Sequence, residues 1–131
     1  MPIIDKPDDP VLGDDFFLRS ASRWYGTGER INLTGAKLYI TFKTDPVTQT
    51  DATADLQKNS TTHPAIFAPP GITLDPTKGE WAVRIPGEDI ETALDPDVEY
   101  HIDVKATLSD LQRIRLCNDV VTFTMQVTRS Y

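Results

Sequence analysis

The chain has 131 residues, 39% of them hydrophobic and 8% aromatic, with a net charge of -7 and a pI of about 4.6. That length carries one domain with enough apolar side chain for a core, which excludes two domains and wholesale disorder. The acidic balance speaks against nonspecific binding to nucleic acid or anionic membrane, because either needs a clustered positive field.

Residues 1–13 combine Pro2, Pro7, Pro10 and Gly13 with aspartates. Proline withholds a backbone donor and restricts its predecessor, so this stretch predicts an extended arm ahead of a single domain over 14–131. A first strand is expected at 15–18, followed by Trp24 and Tyr25 and a turn at Gly26 and Gly28. In 36–43, Leu38, Ile40 and Phe42 alternate with Tyr39 and Thr41, which predicts a strand with one face inward. The polar stretch 45–70 predicts a long loop with one short strand around Ile66 and Phe67, or a helical turn over 52–58. A loop of that length on a compact domain is a candidate functional surface. A turn over 75–79 leads to a strand at 80–85, where Trp81, Val83 and Ile85 share a face. Pro86 and Gly87 end it, and 88–94 predicts a helical turn linking two sheets. Further strands are expected at 98–106, 111–117 and 119–128, with Asn118 and Asp119 as a tight hairpin turn. About seven short strands between turns predict an all-β, immunoglobulin-like antiparallel β-sandwich, without the disulfide of antibody domains.

No residue pattern supports catalysis, so the chain is expected not to be an enzyme. A zinc site needs three or four ligands at workable spacing, and His63, His101 and Cys117 do not supply them. The 45–55 segment lacks the central glycine and closing glutamate of a calcium loop. Gly26-Thr27-Gly28 is too short for a nucleotide fingerprint. No catalytic residue, metal ligand or cofactor is therefore expected, and the acidic groups at 5–15 and 88–99 read as solvated faces. Cys117 excludes a disulfide scaffold and fits a reducing cytoplasm. No secretory signal opens the chain and no apolar run approaches the ~20 residues of a membrane span. The candidate contact residues are Asp8 and Asp9 in the arm, Trp24 and Tyr25 as stacking rings, Gln57, Asn59 and His63 in the loop, and the outward pair Arg113 and Arg115.

Several segments resemble the small immunoglobulin-like domain of tailed-bacteriophage baseplate proteins, as in the N-terminal domain of baseplate upper proteins. They are Leu33-Thr34-Gly35-Ala36, Gly79-Glu80-Trp81, Thr92-Ala93-Leu94, Tyr100-His101-Ile102-Asp103-Val104, and Phe123 through Val127-Thr128. The likeness covers about three quarters of the chain; Pro96-Asp97-Val98 stands where the family has a glycine. The resemblance implies a structural virion protein, made in the host bacterial cytoplasm and built into the tail or baseplate. Its partners would be other tail or baseplate proteins, it would be a homo-oligomer in the particle, and neither nucleic acid nor membrane would be a partner. Family members often continue into a stalk or fibre, so a chain ending at Tyr131 implies a freestanding adaptor. The alternatives are a carbohydrate-binding module using Trp24 and Tyr25, and a head-decoration or neck protein of the virion.

Overall fold

The computed structural model describes residues 10–125. The described residues are mostly β, with six strands in two antiparallel sheets. Strands β1 (Phe16–Ala21) and β4 (Glu80–Ile85) form a two-stranded sheet. The second sheet has the order β3-β2-β5-β6, built from β2 (Lys37–Lys43), β3 (Leu56–Asn59), β5 (Glu99–Thr107) and β6 (Arg113–Thr122). Alternation in β5 is strict: Tyr100, Ile102, Val104 and Ala106 are buried, while His101, Asp103, Lys105 and Thr107 point away from the core.

Between the sheets lies an aromatic cluster. The Phe16 ring meets Phe42 at 5.4 Å in an edge-on arrangement and Phe123 at 5.7 Å, and Tyr100 packs on Phe123 at 6.5 Å. Trp81 is buried beside them and its indole N–H donates to Ser22 Oγ at 3.0 Å. The Tyr100 hydroxyl accepts from the Asp95 amide at 2.8 Å, so the ring's polar end is satisfied inside the core. Helix α1 (Pro64–Phe67) buries Ile66 and Phe67, and α2 (Gly87–Ala93) buries Ile90 as the chain crosses from one sheet to the other. A short 3-10 turn (Pro76–Lys78) is capped by the Asp75 carboxylate on the Thr77 amide and ends at Gly79, φ 73°. Only glycine fits there, because a Cβ would also strike the Ser22 carbonyl.

Three expectations are corrected. The segment around Ile66 and Phe67 is helical, since Pro64 at its first position presets the backbone and both neighbours are buried, which alternation would forbid. The 52–58 region is split into a 3-10 turn (Asp51–Thr53) and β3, which pairs Tyr39 with Asn59 and Phe42 with Leu56. With only Leu56 buried, β3 is an edge strand whose polar sequence carries no strand pattern. Asn118 and Asp119 make no hairpin: β6 runs through them, pairing with Asp103 and Ile102. The connection falls instead at 108–112, where Leu111 adopts φ 71° and its amide donates to the Leu108 carbonyl at 2.9 Å. Nine residues of β5 offer partners along this whole run, and that ladder overrides the local turn preference. Residues 1–9 of the arm and 126–131 of the expected last strand lie outside the described residues.

Phe123→Ala removes the ring shared by both sheets and is expected to destabilise the fold by about 3–5 kcal/mol, measured by urea unfolding. An effect within error would mean the cluster collapses around the gap.

Candidate functional site

The outward face of the four-stranded sheet gathers its polar side chains in rows. Register places Tyr39 beside Lys105 and Lys105 beside Arg115; Thr41 lies between Gln57 and Asp103, and Thr107 lies next to Arg113. A bulge at Val104/Lys105 sets the last turn of the alternation, so that Arg113 and Arg115 both face outward with Lys105. The register thus brings together three of the residues singled out by sequence, Gln57, Arg113 and Arg115.

Over this face folds the segment after β2, held by its own hydrogen bonds. The Asp45 carboxylate accepts from Thr48 Oγ1 at 2.6 Å and from the Val47 amide at 3.0 Å, and those bonds lower its pKa. Gln49 Oε1 accepts from the Asp45 amide at 2.8 Å, and Thr50 and Thr53 cap each other's backbone. The loop therefore presents Asp51 at a defined place. Lys43 Nζ donates to Asp51 Oδ1 at 2.9 Å, and Lys105 Nζ lies 3.3 Å from Asp51 Oδ2. These two hydrogen bonds, Lys43 first, hold the Asp51 carboxyl below the ordinary carboxylate range. The chain of charges continues: Lys105 Nζ is 3.5 Å from Asp103 Oδ2, Arg115 Nη2 donates to Asp103 Oδ2 at 3.1 Å, and Arg115 Nε stands 2.8 Å from Oδ1 as an ion pair without hydrogen-bond alignment. Thr41, beneath this lid, is buried with no partner for its hydroxyl.

Two shallow concavities flank that ridge. One of about 470 Å³ is lined by Tyr39, Asp51, Gln57, Lys105, Thr107 and Arg113, and the Tyr39 and Thr107 hydroxyls share a hydrogen bond of 2.8 Å in its wall. The other, about 310 Å³, lies between Pro46, His101 and Asn118. The network sets three cations against two carboxylates, and Arg113 adds a further charge that makes no hydrogen bond or ion pair with any described residue. A basic, concave face on a chain of charge -7 can attract an acidic surface.

The remaining candidates lie elsewhere. Trp24 is half-buried against the core, whereas Tyr25 is fully exposed at the tip of a turn closed by the Gly28 amide on the Trp24 carbonyl at 3.0 Å, so only one of the two rings is open. Asn59 Oδ1 accepts from the amides of Thr61 and Thr62 at 3.0 and 2.9 Å, a turn-forming role. His63 is exposed, with Nδ1 3.0 Å from Thr62 Oγ1. Asp8 and Asp9 lie outside the described residues. The alternation of β5 already contained Asp103, Lys105 and Thr107; nothing local marked Asp51, which reaches the face only because the loop folds back. Among the described residues no group of three or more His, Cys, Asp or Glu side chains could hold a metal ion, and no helix is long and apolar enough to cross a membrane. Burial, with Asp119 and Asp103 nearby, pushes the Cys117 thiol up and keeps it protonated.

No protein-family model and no curated protein matches the chain.

The lowered Asp51 pKa contributes stability above the ordinary carboxylate range that is lost as pH falls through it, below about pH 4. Asp51→Asn is expected to lower stability at pH 7 by up to about 1 kcal/mol, given its exposure, and to converge with the wild type in acid. Urea midpoints across pH test this; a constant gap at all pH values would assign the effect to packing.

Proposed function

We propose that this protein is a structural subunit that assembles by protein-protein contact, and that its setting is the tail or baseplate of a tailed-bacteriophage virion, as an adaptor on an immunoglobulin-like sandwich. The observation that carries the assembly reading is the basic concave face with Arg113 unengaged among the described residues, on a protein that is acidic overall. The occupant that fits best by charge is a second copy of the chain. Helix α2, the turn after it and the first residue of β5 carry Glu88, Glu91, Asp95, Asp97 and Glu99, all exposed, with Glu99 3.9 Å from His101. A basic patch on one copy meeting an acidic patch of different sequence on the next is a head-to-tail contact, which generates rings when the rotation closes. Repetition then multiplies a modest interface.

Support for the virion setting comes from the resembling segments and where they stand. Leu33-Thr34-Gly35-Ala36 forms the turn into β2, with the Ala36 amide donating to the Leu33 carbonyl at 3.0 Å. Gly79-Glu80-Trp81 opens β4, Thr92-Ala93-Leu94 closes α2, and the tyrosine segment lies inside β5. Val127 and Thr128 lie outside the described residues.

Light scattering across a concentration range is the test. The mass is expected to rise toward a closed ring at low salt. Arg113→Glu and Glu91→Lys are each expected to shift assembly to about tenfold higher concentration, and the double variant to restore part of it. A strict monomer at all concentrations, indifferent to both substitutions, would overturn self-assembly through this face.

A further inference from the structure

We propose that Asp51 is an internal stand-in for an acidic side chain of the partner copy: the loop over residues 45–54 swings away on assembly, and a partner carboxylate replaces Asp51 on Lys43 and Lys105. This rests on the assembly reading of the basic face and adds how that face is regulated. The alternation of β2 shows where the face is covered. Its outward residues are Lys37, Tyr39, Thr41 and Lys43; the first is exposed and the second half-buried, but Thr41 and Lys43 are buried. Register sets Thr41 between the row of Lys43 and the row of Tyr39 and Lys105. From either side of Thr41, both lysines reach Asp51: Lys43 Nζ is 2.9 Å from Oδ1 and Lys105 Nζ is 3.3 Å from Oδ2. The carboxylate and the two ammonium groups thus roof Thr41, whose hydroxyl is left without a partner. An unpaired buried hydroxyl is costly, so the cover closes against a penalty that opening relieves.

The loop is built to move as a unit. Its neck is fixed by the Asp55 amide on the Phe42 carbonyl and by the Thr44 amide on Asp55 Oδ2, both at 2.9 Å. Within it, the Asp45 carboxylate holds Val47 and Thr48, the Asp45 carbonyl accepts from the Gln49 amide, and Thr50 caps Thr53. Its 3-10 turn buries no residue, and Val47 is almost fully exposed. Among the described residues, the hydrogen bonds and ion pairs that join 45–54 to the outward face of the strands all pass through Asp51. A segment tied down at one side chain, with little buried surface, opens at low cost. Asp51 also divides the face. It lines the larger concavity, Lys43 lines the smaller, and Lys105 and Arg115 line both. With Asp51 withdrawn, the two join into one trough where Lys43, Lys105, Arg113 and Arg115 face a single lining carboxylate, Asp103. Such a surplus suits a ligand with more than one carboxylate. Helix α2 presents one, since Glu88 and Glu91 are exposed three residues apart on one face. An arriving carboxylate competes with Asp51 for the same ammonium groups, so the closed loop weakens docking in proportion to the time it spends closed.

Asp51→Asn keeps the size of the side chain and removes the charge that both lysines hold. Light scattering at low salt is expected to show it assembling at about tenfold lower concentration than the unsubstituted chain. Asp110→Asn is the control, making the same charge change in the turn before β6 while still able to accept from the Gln112 amide. It is expected to shift assembly less than about twofold. Citrate, a small polycarboxylate, probes the site without assembly, through the amide NMR shifts of Lys43 and Lys105 in dilute, monomeric protein at constant ionic strength. It is expected to bind Asp51→Asn about tenfold more tightly than Asp110→Asn. Equal citrate affinities would overturn the proposal. So would assembly that Arg113→Glu weakens but Asp51→Asn leaves unchanged or weakens, because Asp51 would then support the docking face; the assembly reading would stand. Monomers throughout, indifferent to all three substitutions, would overturn the assembly reading and this inference with it.

Discussion

The contact between Phe16, Phe42, Phe123 and Tyr100 is the constraint on which the rest depends. A two-stranded sheet has too little buried surface to persist alone in water. Here β1 and β4 hold because Phe16, Trp81, Val83 and Ile85 present one apolar face to the larger sheet. Phe123 matters in a second way. It follows the end of β6, and its carbonyl ties the turn before β5, so the ring joins two sheets while the backbone joins two strands. Gly87 serves the same closure from the other side: its amide donates to Asp15 Oδ1 at 2.8 Å, and a Cβ there would collide with the Gly13 backbone.

With the core satisfied on one face of the four-stranded sheet, the opposite face is available for charge. Alternation makes this unavoidable, since each inward Ile or Val delivers an outward neighbour. What gives the face a shape is the loop after β2, whose short polar side chains bond to their own backbone and bring Asp51 over Lys43 and Lys105. The ion pairs on the ridge are partly exposed, so their worth lies less in stability than in fixing where the cations stand. Lys58 and Asp89, 3.1 Å apart, tie β3 to α2 by the same means at the sheet's other margin.

Edges set the remaining possibilities. The four-residue β3 is short and polar, a form in which edge strands resist unwanted pairing. The ten-residue β6 is long, and at its end the chain already lies alongside it at Val11 and Thr124.

The sequence by itself determined the strands with strict alternation, the inward residues of β2, β4 and β5, the turn at 75–79 and the outward direction of Arg113 and Arg115. Those follow from a local rule: successive side chains take opposite faces. Only the tertiary structure decided that Leu56–Asn59 is a strand, that Ile66 and Phe67 sit on a helix, and that Asn118 and Asp119 continue β6. In each case local preference was weak or pointed elsewhere, and long-range pairing or burial against β4 prevailed. The basic face divides in the same way. Its Arg and Lys positions were readable along single strands, but the approach of Asp51 to Lys43 and Lys105 depends on register between strands distant in sequence, which no local pattern encodes.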